Sequence, residues 1–166
     1  MKMISKQRIA HNEFSTVNRI IGRIYDAESL RSLRIEFLKS IRPLVDFSFA
    51  DFHLGSTACD GTPKLTDPVV VSNYDKHFEE QFINLYENQY YNLDYVSWVF
   101  QSPNSTVYRE SDLISGPIRQ QNPFFQKYLA KFVLTNIAGI GIAQHVAFLG
   151  TVSLDRTDDK GESIDL

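Results

Sequence analysis

Apolar positions recur with a helical period through the first 44 residues. Ala10, Phe14, Val17, Ile21 and Ile24 follow one another at intervals of four, three, four and three, a heptad-like seam with Glu13, Arg19 and Arg23 off it. This spacing predicts a helix over residues 1–26. Leu30, Leu33, Phe37, Ile41 and Leu44 form a second stripe and predict a helix over about 27–42. Asp26 is placed to cap its start, and Pro43 ends it, because proline disfavours helix in the residue before it. Two amphipathic helices either bury their stripes on their own domain or also meet a second subunit. The seam is read as a dimerisation element. Residues 1–44 are taken as an N-terminal helical region and 45–166 as the main domain.

The period then changes to two. Over 46–54, Phe47, Phe49 and Asp51 alternate with Ser48, Ala50 and Phe52, which is a strand pattern. Residues 57–63 carry the turn signal Asp60-Gly61, and Val69-Val70-Val71 reads as a short strand. Ser72 with Asp75 three residues on resembles a capping box. It opens a helix with Phe78, Phe82, Leu85, Tyr86, Gln89, Tyr90 and Leu93 on one face, which delivers the chain into Asp94. Val107-Tyr108 predicts another strand, and Ser115-Gly116-Pro117 opens a helix that takes in Ile118, Phe125, Tyr128, Leu129 and Phe132.

Two strands close the pattern. In 136–143, Ile137, Gly139, Gly141 and Ala143 share one face and Ala138, Ile140 and Ile142 the other. The glycines leave room for a helix, a backbone or a ligand. A turn near Gln144-His145 leads into a strand over 146–156. A polar turn over 157–161 is followed by the first turn of a helix at 162–166, which is expected to continue past a fragment boundary. Neighbouring strands with helices around them predict an α+β domain: a central antiparallel sheet of about five to six strands flanked by helices.

Composition narrows the function. The chain has 166 residues, matching one domain, with a net charge of −3 and a pI of about 5.8. Its basic residues lie scattered, without the patch or stripe of a module that grips nucleic acid. Cys59 is the only cysteine, which excludes an internal disulfide and favours an intracellular compartment. No apolar run approaches the ~18 residues of a membrane span, and the N-terminus alternates charge too early for a signal peptide. A cytoplasmic protein without membrane contact is expected.

No phosphate-binding loop, dinucleotide fingerprint, zinc-protease motif or nucleophile elbow is present. His53 and Cys59 invite the thought of a Cys–His nucleophile pair, but no cation beside Cys59 lowers its pKa. Glu79-Glu80 and Glu110/Asp112 read as solvated or ion-paired carboxylates. No enzyme activity, no metal and no cofactor are expected.

The most distinctive stretch is 86–112. It gathers Tyr86, Tyr90, Tyr91, Tyr95, Tyr108, Trp98 and Phe100 around Asp94. Rings offer an apolar body with a polar edge, and a carboxylate among them needs a partner. One reading is a pocket for a small organic molecule, with Asp94 as polar anchor. Tyr86, Tyr90, Tyr91, Tyr95 and Trp98 would be its walls, and Tyr108, Phe125 and Tyr128 further lining. The other reading is an aromatic core in which Asp94 caps the next turn.

Several motifs, in order, resemble a known family. Phe124-Phe-Gln-Lys-Tyr-Leu, the glycine strand 136–143, Leu149-Gly-Thr-Val-Ser-Leu-Asp-Arg and Gly161-Glu-Ser-Ile-Asp-Leu are similar to the closing half of a GAF domain. Tyr95-Val-x-Trp98 and Val107-Tyr-Arg-Glu-Ser-Asp-Leu look like the GAF-like sensor domains that precede a helix-turn-helix in LuxR-type transcriptional regulators. Tyr86 and Tyr90 ahead of Asp94-Tyr-Val resemble the Tyr…Asp-Pro-Val segment of autoinducer-binding domains, in which the aspartate hydrogen-bonds the ligand amide. Here Tyr95 replaces the proline, Phe78 and Phe82 stand where a tryptophan is expected, and Ile164 stands where the GAF pattern has Phe-Ser. The resemblance implies a ligand-sensing, dimerising module of a LuxR-family regulator. DNA would be contacted only through a helix-turn-helix beyond residue 166. A ligand-free GAF-like interaction scaffold is the alternative.

Overall fold

The structure is a computed structural model and describes residues 11–157, without positions 60, 103 and 146. The expected helical start over 1–10, the turn residue Asp60 and the closing motif at 161–166 lie outside the described residues.

Helix α1 (His11–Tyr25) packs against α2 (Leu30–Ile41), and α2 packs on one face of the sheet. Helix α2 starts later than the sequence predicts. Its cap is Ser29 and not Asp26, because Ser29 and Ser32 form a reciprocal capping box. Leu38 of α2 is fully buried with Phe47, Ala50, Val69, Val152 and Leu154, and Ile35, Phe37 and Ile41 pack around that cluster. Arg34 of α2 is buried as well. Its guanidinium donates to the carbonyls of Phe52 and Asp67 and pairs with the Asp67 carboxylate. Those contacts fasten α2 to a register shift between Phe52 and Leu54, where Asp67 holds a left-handed conformation (φ 46°).

The sheet holds five antiparallel strands: β1 (Phe49–Thr57), β2 (Pro63–Ser72), β3 (Thr106–Arg109), β4 (Asn136–Gln144) and β5 (Ala147–Arg156), in the order β2-β1-β5-β4-β3. Strand β2 runs over ten residues and forms a long hairpin with β1, where the sequence suggests only a short strand at 69–71. The polar residues at 64–67 hid that extension, since β2 is an edge strand with one side in water.

The second face is covered by α3 (Lys76–Leu85), by the irregular segment 86–101, and by the short helices α4 (Glu110–Leu113), α5 (Gly116–Gln121) and α6 (Pro123–Lys127). Asp75 caps α3 by accepting from the Phe78 N–H, while Ser72, the predicted cap, donates to Glu79 instead. The helix does not run unbroken to Leu93. It loosens into a π-turn over Tyr86–Tyr90 and tightens into a 3₁₀ turn over Tyr91–Leu93. Phe49, Phe82, Phe124, Tyr128, Leu129, Phe132 and Leu134 form the core on this side.

Candidate functional site

Strand register determines which groups meet between the sheet and its second helical layer. Along β1, Phe49, Asp51 and His53 share one face. Asp51 pairs across with Ser153 of β5, His53 with Thr151, and Phe49 with Asp155. On β4, Gly139 lies opposite Ser153, and Tyr108 of β3 lies opposite Gly139. A Cβ built at Gly139 would fall 2.5 Å from the Tyr108 hydroxyl. The missing side chain at Gly139 therefore lets the Tyr108 ring lie flat over β4 and reach inward. Gly141 gives the same room to Val99. We expect Gly139→Ala to cost about 1–3 kcal/mol by overpacking. In a Tyr108→Ala background the cost should largely vanish, as a double-mutant cycle by urea denaturation will read.

These residues enclose a cavity of about 60 Å³. Asp51, His53, Thr151, Ser153 and Asp155 form its floor, and Phe82, Tyr86, Phe100, Tyr108, Phe124 and Tyr128 supply its aromatic walls. Asp94 enters from the segment that follows α3. The π-turn re-aims the chain at Tyr86. That residue's hydroxyl donates to Asp94 Oδ2 at 2.7 Å, and the Val96 N–H donates to Asp94 Oδ1 at 2.9 Å. Asp94 thus caps the next turn and lines the cavity at once. Leu65 and Tyr86 also line an outer groove with Lys64, Asp67, Glu87 and Tyr91.

The electrostatics are those of a water-poor acidic pocket. Burial raises the Asp94 carboxyl to about 6, against smaller opposing effects from the Tyr86 and Val96 hydrogen bonds. Burial, and then the charge of Asp51, pushes Asp155 well above the usual carboxylate range. Burial likewise raises the phenols of Tyr86, Tyr108 and Tyr128, which stay protonated. The His53 ring is 2% exposed; its Nδ1 lies 2.7 Å from Asp51 Oδ1, while its Nε2 has no partner.

Four of the nine sequence-stated candidates line the cavity: Asp94, Tyr86, Tyr108 and Tyr128. The other five do not. Trp98 is 46% exposed, because a 3₁₀ turn over Ser97–Gln101 points Val96, Val99 and Phe100 inward and Trp98 out. Phe125 turns away and carries the Arg119 guanidinium 4.1 Å above its ring, while its neighbour Phe124 faces in. Tyr90, Tyr91 and Tyr95 form a layer behind the wall: Tyr90 lies 5.2 Å from the Tyr128 ring, Tyr91 donates to the Pro63 carbonyl at 2.7 Å, and Tyr95 stands edge-on to Phe124 at 5.7 Å.

The sequence reading missed Asp155 and gave Asp51 and His53 no role in the site. An Asp-x-His on an alternating strand was a usable signal, since residues two apart share a face. Cys59 is exposed in the hairpin loop, and His53 is committed to Asp51, so the imagined Cys–His pair does not form. Arg109 pairs with Asp112 at 2.9 Å and Arg119 with buried Glu110 at 2.7 Å, both structural ion pairs. Among the described residues no group of three or more histidine, cysteine or acidic side chains is arranged to hold a metal ion, and no helix is long and apolar enough to cross a membrane.

No protein-family profile and no curated protein matches this chain. Solved structures do. The VqsR ligand-binding domain of Pseudomonas aeruginosa superposes with a TM-score of 0.59 at 12% identity, over 92% of this chain and 84% of that one. CepR2 of Burkholderia cenocepacia, an N-acylhomoserine lactone dependent LuxR family transcription factor, gives 0.57 at 16% identity, over 90% and 81%. The chromophore-binding domain of the R. palustris bacteriophytochrome RpBphP3 gives 0.57 at 14% identity, over 96% and 56%. At such identities the likeness is one of fold: this chain is built on the GAF-like α+β scaffold that ligand-binding domains of LuxR-type regulators and bacteriophytochromes share.

Proposed function

We propose that this chain is the ligand-sensing and dimerising domain of a cytoplasmic LuxR-type transcriptional regulator, with no catalytic activity of its own. DNA is engaged by a helix-turn-helix outside these 166 residues. The observation that carries the reading is the buried cavity, whose polar groups include one, His53 Nε2, with nothing to bond. An unpaired buried polar atom costs about 1–3 kcal/mol, which a bound molecule would recover. Its free volume of about 60 Å³ is small beside the ~150 Å³ of a cavity that holds benzene. Occupancy by a molecule of that size therefore requires the lining to yield, and Tyr86, the lining residue that opens the segment 86–101, stands where that segment would move. That movement couples binding to the segment 86–101 and supplies the two states a sensor needs.

Native mass spectrometry of the protein as purified tests this reading. A carried small molecule is expected, and Asp94→Asn should weaken its binding by about 1–3 kcal/mol through loss of a charged hydrogen-bond acceptor. An empty protein that binds nothing would favour the ligand-free scaffold, the reading to which the small volume lends weight.

Dimerisation rests on α1. Phe14, Val17, Ile21 and Tyr25 are 56, 37, 45 and 85% exposed and form one stripe at helical spacing, while Ile20 turns to α2. A second copy of the same stripe is the occupant it suits. The paired substitution Phe14→Glu/Ile21→Glu is expected to convert dimer to monomer in the native spectrum with little change in unfolding midpoint. An unaltered dimer would exclude this interface.

A further inference from the structure

We propose that the molecule this cavity takes is a small organic ammonium ion, because Asp51, Asp94, Asp155 and His53, whose Nε2 is unpartnered, line a space walled by six aromatic rings and lined by no lysine or arginine among the described residues. The inference rests on the sensing role proposed above and names the chemistry of its ligand.

The first argument is the direction of the hydrogen bonds. Four of the five lining hydroxyls, all but that of Tyr108, have an acceptor: Tyr86, Tyr128, Thr151 and Ser153 donate to Asp94 Oδ2, the Phe82 carbonyl, the Ile140 carbonyl and Asp155 Oδ2 respectively. Their protons are spent within the protein, and what they turn to the cavity is lone pairs. His53 agrees. Its Nδ1 is held 2.7 Å from Asp51 Oδ1, and its Nε2, which has no partner in the protein, is open to a ligand. An acceptor-rich cavity selects a ligand with several N–H donors, and a primary ammonium has three.

The second argument is charge. Three carboxylates line one desolvated space in which His53, paired with Asp51, is the one basic side chain among the described lining residues, and such charges are costly to bury unpaired. Without ligand the cavity relieves this by holding protons, as the raised Asp94 and Asp155 carboxyls show. An ammonium ion supplies the missing charge and sends a proton from a carboxyl to solvent. The third argument is the wall. Faces of Phe, Tyr and Trp rings attract cations, more so when water is excluded. A bare metal ion does not fit these observations, since no metal-ligating group of side chains is present among the described residues.

Two matched pairs test the charge directly: isobutylammonium against isobutyl alcohol, and 2-phenylethylammonium against 2-phenylethanol, by calorimetric titration and thermal shift. At least one ammonium should bind at least tenfold more tightly than its alcohol at pH 7.5. Its affinity should fall on going to pH 5 as the carboxyls take up protons, although the ligand stays charged. The groups that face this ligand are Asp51 and His53 from β1, Asp155 from β5, Asp94 and Tyr86 from the segment after α3, Tyr108 from β3 and Tyr128 after α6, with ion-paired Glu110 acting on Asp155 from α4.

Asp155→Asn should weaken ammonium binding at least fivefold while raising the unfolding midpoint of the empty protein, a combination that a merely structural aspartate would not give. Equal binding of ammonium and alcohol, or no binding of either ammonium, overturns the inference. A neutral molecule in the native mass spectrum also removes it but leaves the sensing role standing. An empty native spectrum with no binder of any kind removes both.

Discussion

Replacing Tyr128 with alanine is expected to lower the stability of the domain by about 3–5 kcal/mol, the range for deleting a large buried ring. Tyr128 is 1% exposed, and its ring meets those of Phe82, Tyr86, Tyr90, Phe124 and Phe132 at centroid distances of 4.8, 5.7, 5.2, 5.2 and 5.4 Å. It is the shared neighbour of α3, the π-turn and α6, so its loss opens a void that no single element can close. Its hydroxyl contributes less. Tyr128→Phe removes only the bond to the Phe82 carbonyl at 3.1 Å and is expected to cost about 1 kcal/mol. The pair of substitutions, compared by urea denaturation, separates ring from hydroxyl. For a domain of this size the alanine variant should melt on the order of 10 °C lower. A loss below ~1 kcal/mol would show that the three elements do not lean on one another as the ring contacts imply.

The second large effect is on pH. Asp94 titrates at about 6 in the folded domain, above its ordinary value of 3.8, because burial disfavours its charge. Between those values the folded state holds a proton that the unfolded chain has released. Stability is therefore fully present below about pH 4 and is lost as pH rises through about 6. The shift corresponds to about 3 kcal/mol. Asp155 acts in the same sense, its carboxyl being raised further by Asp51 and Glu110. Unfolding free energies should thus be higher at pH 5 than at pH 7, and Asp94→Asn should flatten part of that slope. Stability that rises from pH 5 to pH 7 would mean that these carboxylates are ionised and compensated in the empty protein.

Both effects arise from the same design: a polar cluster kept dry by rings. The domain tolerates that cost because its other layer is conventional. Leu38, Ala50, Val69, Val152 and Leu154 carry the sheet–helix core, and Arg34 fastens α2 to the bulged end of β1 and β2. The acidic cavity and this aliphatic core thus lie on opposite faces of one sheet. A substitution on the cavity face, such as Asp155→Asn, is expected to strengthen the fold while weakening the site, which is the usual relation between an active pocket and its scaffold.

Periodicity along the chain was enough for the α+β class, the two N-terminal helices, the alternation at 136–156 and the sharing of faces by Ile137, Gly139 and Gly141. These are local matters, set by side-chain direction every two or every 3.6 residues. The aromatic stretch around Asp94 was likewise legible as a place where polar and ring chemistry concentrate. What one-dimensional spacing could not supply was which of those rings face inward. The π-turn at Tyr86 and the 3₁₀ turn at Ser97 each change the number of residues per turn, and the change rotates Trp98 out and Val99 and Phe100 in. Nor could spacing join Asp51 and His53 to Asp155, which lie near opposite ends of the domain. That meeting follows from the strand order β2-β1-β5-β4-β3, in which the first and last strands are neighbours. The sequence by itself determined the fold class and, within the regular helices and strands, which residues share a face. Only the tertiary structure decided which faces would meet, because strand pairing is a contact between distant segments that local periodicity does not encode.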